Sequence, residues 1–227
     1  MSDLYTRFIA NLVFPLQERV KKHDTVRVRR QMEESQWWSA ERIAALQVER
    51  LKAFLTDIGA NVPYYRELFA STGFDPRAVK STADLQALPF LTKAVIKDNT
   101  DALRADDAKG LARFNTGGSS GVPLIFFIGT ERVTHDVAAK WRATRWWDVD
   151  IGDPEVVVWG SPIELGTQDR MRLIRDKLMR TELLPAFEMS DERVEAFIAR
   201  IRQMRPKMLF GYPSAISHIA GYAEKKG

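Results

Sequence analysis

Thr116-Gly117-Gly118-Ser119-Ser120-Gly121-Val122-Pro123 is the segment whose residue types and spacing best fit a chemical task. Its three glycines free the backbone to take positive φ and bring N–H groups close to a ligand. Thr116, Ser119 and Ser120 add hydroxyls, no side chain before Pro123 is bulky and acidic residues are lacking. Successive N–H groups aimed into one concavity form an anion nest, which suits the phosphates of a nucleotide. The segment is not the nucleotide-triphosphatase loop G-x-x-x-x-G-K-[ST], because no lysine follows Gly121 and the next stretch reads as a strand. Composition alone leaves a flexible hairpin connection equally open.

The same residues spell G-x-S-x-G, with Ser119 where a serine hydrolase places its nucleophile. Asp148, Asp150 or Asp153 and then His218 follow in the matching chain order. That elbow needs a helix directly after the serine. Val122-Pro123-Leu124-Ile125-Phe126-Phe127 is a poor helix start, since Pro123 lacks an amide and the branched and aromatic residues favour a strand. Other chemistry is thin. His23, His135 and His218 are scattered and form no metal pair, and the six Trp read as packing residues rather than base-stacking platforms.

The elements that must position the loop follow from periodicity. Leu4 to Val20 has helical spacing, and Arg19 to Arg30 holds six bases against one acid, Asp24. Such a stretch suits either a solvated basic face or contact with an anionic membrane. Ser39 or Ala40 through Ile58 carries a stripe of Ile43, Leu46, Leu51, Phe54, Leu55 and Ile58, with Gly59 as a stop, and Pro63 opens a short helix. Short helices joined by tight turns are expected up to Gly110. Leu111 to Asn115 is a short apolar run, and Leu124 to Ile128 reads as a strand. Thr130 caps a helix, Glu155 to Trp159 is a buried strand, Asp169 to Arg180 a basic helix. Ser190 caps another helix that Pro206 ends, Lys207 to Tyr212 is a strand, and Ser214 caps the last helix. The class is therefore α/β: a mainly helical region over 1–110, then an incomplete α/β sheet region over 111–227 that holds the loop at 116–123.

Composition bounds the rest. The 227 residues are 45% hydrophobic and 28% charged, an ordinary globular balance for one domain or two small ones. Lys and Arg number 34 against 30 Asp and Glu, a weak net charge of +4 that does not point to nucleic acid. The absence of cysteine excludes disulfides, thiolate metal sites and cysteine nucleophiles, and fits a reducing compartment. No run approaches the roughly 18 apolar residues of a membrane span, and Asp3, Asn11 and Pro15 argue against a signal peptide. The expected location is the cytoplasm.

Several motifs occur in order: Val62-Pro63-Tyr64-Tyr65-Arg66, Asp84-Leu85 through Leu88-Pro89 to Thr92-Lys93, the Thr-Gly-Gly-Ser-Ser-Gly-x-Pro loop, and Gly211-Tyr212-Pro213-Ser214-Ala215. This order resembles the phenylacetate–coenzyme A ligase family, in particular its CapK-type capsular polysaccharide biosynthesis branch. These are adenylate-forming enzymes. The resemblance implies that Thr116, Gly117, Gly118, Ser119, Ser120 and Gly121 fold over the β- and γ-phosphates of ATP while a carboxylate attacks the α-phosphorus. It also implies Mg2+ as a cofactor, with most of its ligands outside this chain, and coenzyme A as the usual acceptor. Trp159, Gly160 and Ser161, with Tyr212, Pro213 and Ser214, stand where strands hand over to loops and are expected to wall the acid pocket. The loop carries Gly118 and Val122 where many acyl ligases of this superfamily have Ser or Thr and Lys. Family members run well beyond this length, through an aromatic-Gly-x-Thr-Glu motif, a ribose-binding Asp and a mobile domain with a catalytic Lys.

The expected function is thus that of the N-terminal part of an AMP-forming carboxylic acid ligase, inactive alone. A partner or second copy is expected to cover an exposed sheet edge. The alternatives are a shortened non-catalytic relative acting as an interaction or membrane module, and the Ser119 hydrolase.

Overall fold

A computed structural model describes residues 3–116, 123–160 and 170–227 of the chain. They fall into two compact units, one formed by Met1–Lys22 with Ala139–Gly227 and the other by His23–Ala138.

The first unit opens with α1 (Leu4–Phe8), a π-helical segment (Ile9–Val13) and α2 (Phe14–Val20). Asp3 caps α1 by accepting from the Thr6 N–H at 2.6 Å. The π turn has a local cause. Pro15 has no N–H to give the Asn11 carbonyl and its ring crowds that oxygen, so the preceding turn widens and the Phe14 N–H donates to Ile9.

The second unit begins with α3 (Thr25–Ser35), which buries Thr25, Val28 and Arg29. α4 (Ala40–Asn61) follows, capped by the Ser39 hydroxyl, which accepts from the Arg42 N–H at 3.3 Å. Gly59 does not stop this helix, contrary to the sequence reading. It lies inside α4, where a Cβ would stand 2.9 Å from Phe69 Cδ2. Its role is close approach to α5 (Pro63–Thr72), whose Pro63 sits in the first turn as expected. Leu55, Ile58, Val62, Phe69 and Val79 form the core of this unit. Two 3-10 turns (Pro76–Ala78 and Thr82–Ala87) and α6 (Lys93–Asp98) lead to the hairpin of β1 (Ala112–Asn115) and β2 (Ile125–Ile128). Its strands are antiparallel, with Asn115 opposite Ile125 and Ala112 opposite Ile128. α7 (Thr130–Thr144) belongs to this unit through Ala138.

The first unit resumes with a 3-10 turn (Arg145–Trp147), β3 (Glu155–Trp159), α8 (Arg170–Leu178), β4 (Thr181–Pro185), α9 (Asp191–Met204), β5 (Met208–Gly211) and α10 (Pro213–Lys226). The three strands form a parallel sheet in the order β4-β3-β5. β3 is the central strand, so its Val156 and Val158 are fully buried and read as the apolar run a covered parallel strand requires. They pack with Leu184 against Val194 and Phe197 of α9 and Ala215 and Ile219 of α10. Tyr212 is the N-cap of α10 and Pro213 its first residue, so Ser214 lies inside the helix rather than capping it.

The α/β expectation is met by this crossover sheet, with helices preceding it in the chain. The unit is tied together by polar contacts as well. Asp153 is buried, accepting from the Thr6 hydroxyl at 2.8 Å and the Asp150 N–H at 2.9 Å, with the Lys207 ammonium at 3.1 Å. Gly152, at φ +94°, leaves room for Ile9, whose Cβ would be 2.7 Å from any Cβ placed there.

Candidate functional site

Two sets of predicted residues are described, one in each unit. In the second unit, Thr116 follows β1 and closes the neck of the hairpin. Its N–H donates to the Leu124 carbonyl at 3.0 Å, and its hydroxyl accepts from the Leu124 N–H at 3.0 Å. The strands that carry it are held by the Phe114–Phe126 ring pair, with centroids 6.3 Å apart, and by the Arg104 guanidinium over Phe127. Gly117, Gly118, Ser119, Ser120 and Gly121 lie outside the described residues.

Beside the hairpin is a cavity of about 580 Å³ lined by Lys93, Lys97, Thr100, Arg113, Leu124 and Phe127, among others. Two lysines and an arginine against a largely apolar wall favour an anion that carries an apolar body. Sequence reasoning quoted Lys93 within a motif but gave it no role, and it passed over Lys97 and Arg113. Lys93 and Lys97 share one face of α6 by their i, i+4 spacing.

The second set stands at the C-terminal ends of the parallel strands in the first unit. The Trp159 ring stacks on Tyr212 with centroids 4.2 Å apart and planes 13° apart, and lies nearly parallel to Phe210 at 6.3 Å. All three rings are partly exposed. The arrangement follows from register. Val158 pairs with Gly211, so the residues just beyond, Trp159 and Tyr212, leave the sheet side by side. The Tyr212 N–H donates to the Val158 carbonyl at 3.1 Å, and a Cβ on Gly211 would collide with that same carbonyl oxygen. Gly160 is buried with φ +110°, a conformation that glycine takes without cost as the chain turns away from β3. Pro213 and exposed Ser214 form the first turn of α10. Ser161 lies outside the described residues.

Phe210 and Lys140 are members of this cluster that the sequence reading passed over. Lys140 lies 4.4 Å from the Phe210 ring centre and pairs with buried Glu155 at 2.5 Å. Alternation along β5 places Phe210 on the face shared with Glu155 and Trp159, but only the strand pairing reveals it.

Ligands of open α/β sheets bind beyond the carboxyl ends of the strands, and an exposed aromatic stack there is suited to hold a flat or apolar group. Among the described residues neither set supplies a nucleophile with its base. The segment after the Gly/Ser loop is the strand β2, where a hydrolase elbow places a helix. Asp150 is held by Arg145 at 2.7 Å and Asp153 by Thr6 and Lys207. Burial alone would raise the Asp153 carboxyl, but the Asp150 N–H, the Thr6 hydroxyl and Lys207 outweigh it and hold it below the ordinary carboxylate range.

No protein-family model matches the chain. Among curated proteins it is 36% identical over 191 residues to phenylacetate-coenzyme A ligase of Aromatoleum evansii, covering 83% of this chain and 42% of that protein. It is 25% identical over 178 residues to protein CapK of Staphylococcus aureus, covering 78% and 39%. The chain therefore spans about two fifths of the length of these relatives. Among solved structures it is similar to 2-hydroxyisobutyryl-CoA ligase in the postadenylation state in complex with 2-HIB-AMP. There the TM-score is 0.60 and the identity 20%, with 82% of this chain and 40% of that chain covered. The same ligase in complex with 2-HIB-AMP and CoA gives a TM-score of 0.55 over 83% of this chain and 41% of that one.

Proposed function

We propose that this chain, which belongs over most of its length with the phenylacetate–coenzyme A ligases and CapK, is the N-terminal part of an ATP-dependent, AMP-forming carboxylic acid ligase. The observation that carries the reading is the match to the Aromatoleum evansii ligase over 191 residues, 83% of the chain, a length that must include the Gly/Ser loop. On this reading the helical region 1–110 and the α/β region 111–227 are proposed as the functional division, which differs from the division into compact units.

Residues 116–121 are assigned to the β- and γ-phosphates of ATP. In the first half-reaction a carboxylate oxygen bonds to the α-phosphorus while the bond to the bridging oxygen breaks, and pyrophosphate leaves. Charge accumulates on that leaving group, and backbone N–H groups with hydroxyls already in place stabilise it without rearranging. The closed neck at Thr116 and the cations of the neighbouring cavity support this assignment. In the second half-reaction a thiol sulfur, as in coenzyme A, bonds to the acyl carbon, AMP departs with the electron pair, and the thiol proton passes to solvent. Trp159, Gly160, Ser161, Tyr212, Pro213 and Ser214 are assigned to the wall of the acid pocket.

Among the described residues no group of three or more His, Asp or Glu is placed to hold a metal ion. None of the helices searched is long and apolar enough to cross a membrane. The test is ATP–pyrophosphate exchange with a panel of aryl and alkyl acids, using the protein at the length its source cells make. Acid-dependent exchange that drops on Ser119→Ala/Ser120→Ala supports the assignment. Exchange unchanged by that double substitution removes the loop from the mechanism, and labelling of Ser119 by a fluorophosphonate favours the hydrolase instead.

A further inference from the structure

The helix made by α1, the π turn and α2 is apolar on two faces, and only one of them is used. Thr6, Ile9, Ala10, Phe14 and Glu18 are buried against their own unit, with Ile9 over Gly152 and Thr6 on Asp153. A second row, Leu4, Phe8, Leu12, Leu16 and Val20, is 82%, 50%, 58%, 58% and 77% exposed. In an ideal α-helix positions four apart drift by about 40° per step, so five of them would spiral around the axis. The wider π turn at Ile9–Val13 rotates the row back and keeps it along one side. The buried contacts fix the helix, so this row cannot turn inward.

The charges around the row are sorted. Of the acids in the described part of the segment, Asp3 is engaged by Arg180 at 2.9 Å, and Glu18 is buried with Lys21 at 3.4 Å. Arg7 and Arg19 flank the apolar row one position away, and Lys22 follows at its end. The outward face is thus apolar down the middle and cationic along the side. Pairing with a second copy, antiparallel about Val13, would set Arg7 against the other copy's Arg19. Like charges there disfavour a dimer.

We infer that this face docks on an anionic membrane surface, with the helix axis in the plane of the headgroups and the Leu4-to-Val20 row among the acyl chains. An amphipathic helix with Leu and Phe on one side and Arg or Lys beside them is the form such contacts take. The α8 helix lies beside this one. The Tyr5 hydroxyl donates to the Leu178 carbonyl at 2.7 Å, and Leu173, Ile174 and Leu178 are also exposed. The inference is independent of the ligase reading, because it uses no residue assigned to ATP or acid.

The test is flotation of the protein, at the length its cells make, with vesicles of phosphatidylcholine alone and of phosphatidylcholine with phosphatidylglycerol. Binding is expected to the anionic vesicles, and raising the salt should weaken it. Leu12→Glu/Leu16→Glu should lower the partition coefficient at least about tenfold, and Arg7→Gln or Arg19→Gln about fivefold each. These side chains are exposed, so far-UV circular dichroism should be unchanged, and the milder Leu12→Ala/Leu16→Ala should give an intermediate loss. Absence of binding to anionic vesicles, or equal binding by the Glu double variant, overturns the proposal. So does a dimer that this variant splits while vesicle binding is nil, because then a second copy covers the face.

Discussion

Thr116 and Leu124 exchange two hydrogen bonds across the base of the Gly/Ser loop, both 3.0 Å long, one from backbone to backbone and one from the Leu124 N–H to the Thr116 hydroxyl. The hydroxyl therefore does the work of a further strand pair at a point where the ladder ends. Thr116→Val keeps the shape and removes this acceptor. It should cost about 1 kcal/mol of stability in urea unfolding. On the proposed ligase reading it should slow ATP–pyrophosphate exchange mainly through the KM for ATP. Thr116→Ser should restore both, and a Val variant with normal exchange would separate the neck from the loop's function.

Gly211 sits against the Val158 carbonyl, where a Cβ has no room. The collision is with backbone of the central strand, which cannot step aside as a side chain can. Gly211→Ala should break the β3–β5 pairing and destabilise the unit by more than about 3 kcal/mol, seen as a loss of soluble protein or of Tm. Tyr212→Ala tests the neighbouring stack. It removes an aromatic pair worth about 1 kcal/mol and should shift Trp fluorescence; on the proposed assignment of Tyr212 to the acid pocket it should also raise the KM for the acid while leaving ATP binding intact.

Much of this organisation was legible because it is local. The apolar run Glu155–Trp159 and the strand Ile125–Ile128 announce themselves, as does the first-turn Pro63. The strand Thr181–Pro185 was missed. It is five residues long, follows directly on a basic helix and contains Glu182, so neither length nor alternation marked it. α3 was hidden for another reason. It buries Arg29 beside Val28, and its many bases read as a charge run rather than a helix with an inner face. The Trp159–Tyr212 stack could be placed at strand ends from sequence, but its members meet only through the parallel register of Val158 with Gly211. Pairing across such a distance leaves no period to read.

The misread Gly59 gives a separate test. As an exposed helix glycine its replacement by Ala should help by about 1 kcal/mol, since Ala is the better helix former. Here the new Cβ meets the buried Phe69 ring at 2.9 Å, and overpacking a core costs about 1–3 kcal/mol. Gly59→Ala should therefore destabilise the second unit. Phe69→Leu removes the ring and should make the two changes together cost less than their sum. Additive losses in that double-mutant cycle would show that Phe69 does not set the requirement for glycine.

Acid should release the N-terminal helix before it unfolds the sheet. The Thr6 N–H and hydroxyl, with Arg180, hold the Asp3 carboxyl down at about 2, and Asp153 is also held below its usual value. A carboxyl with a lowered folded pKa contributes stability that is fully present above its unfolded value, near 3.8, and is lost as pH falls through the folded one. Both groups anchor the same short helix to the sheet, Asp3 through Arg180 and Asp153 through the Thr6 hydroxyl. The hydrogen-exchange protection factors of residues 4–20, taken relative to the intrinsic rate at each pH, should therefore be constant from neutral pH down to about 4 and fall between there and about 2. Amides of β3 should stay protected over most of that range, because Val156 and Val158 are held by apolar packing that does not titrate. Asp153→Asn should make the helix exchange faster at neutral pH, since Lys207 then loses its carboxylate and Thr6 its charged acceptor. Parallel loss of protection in helix and sheet would mean that the two unfold as one unit and that these carboxylates do not govern the docking.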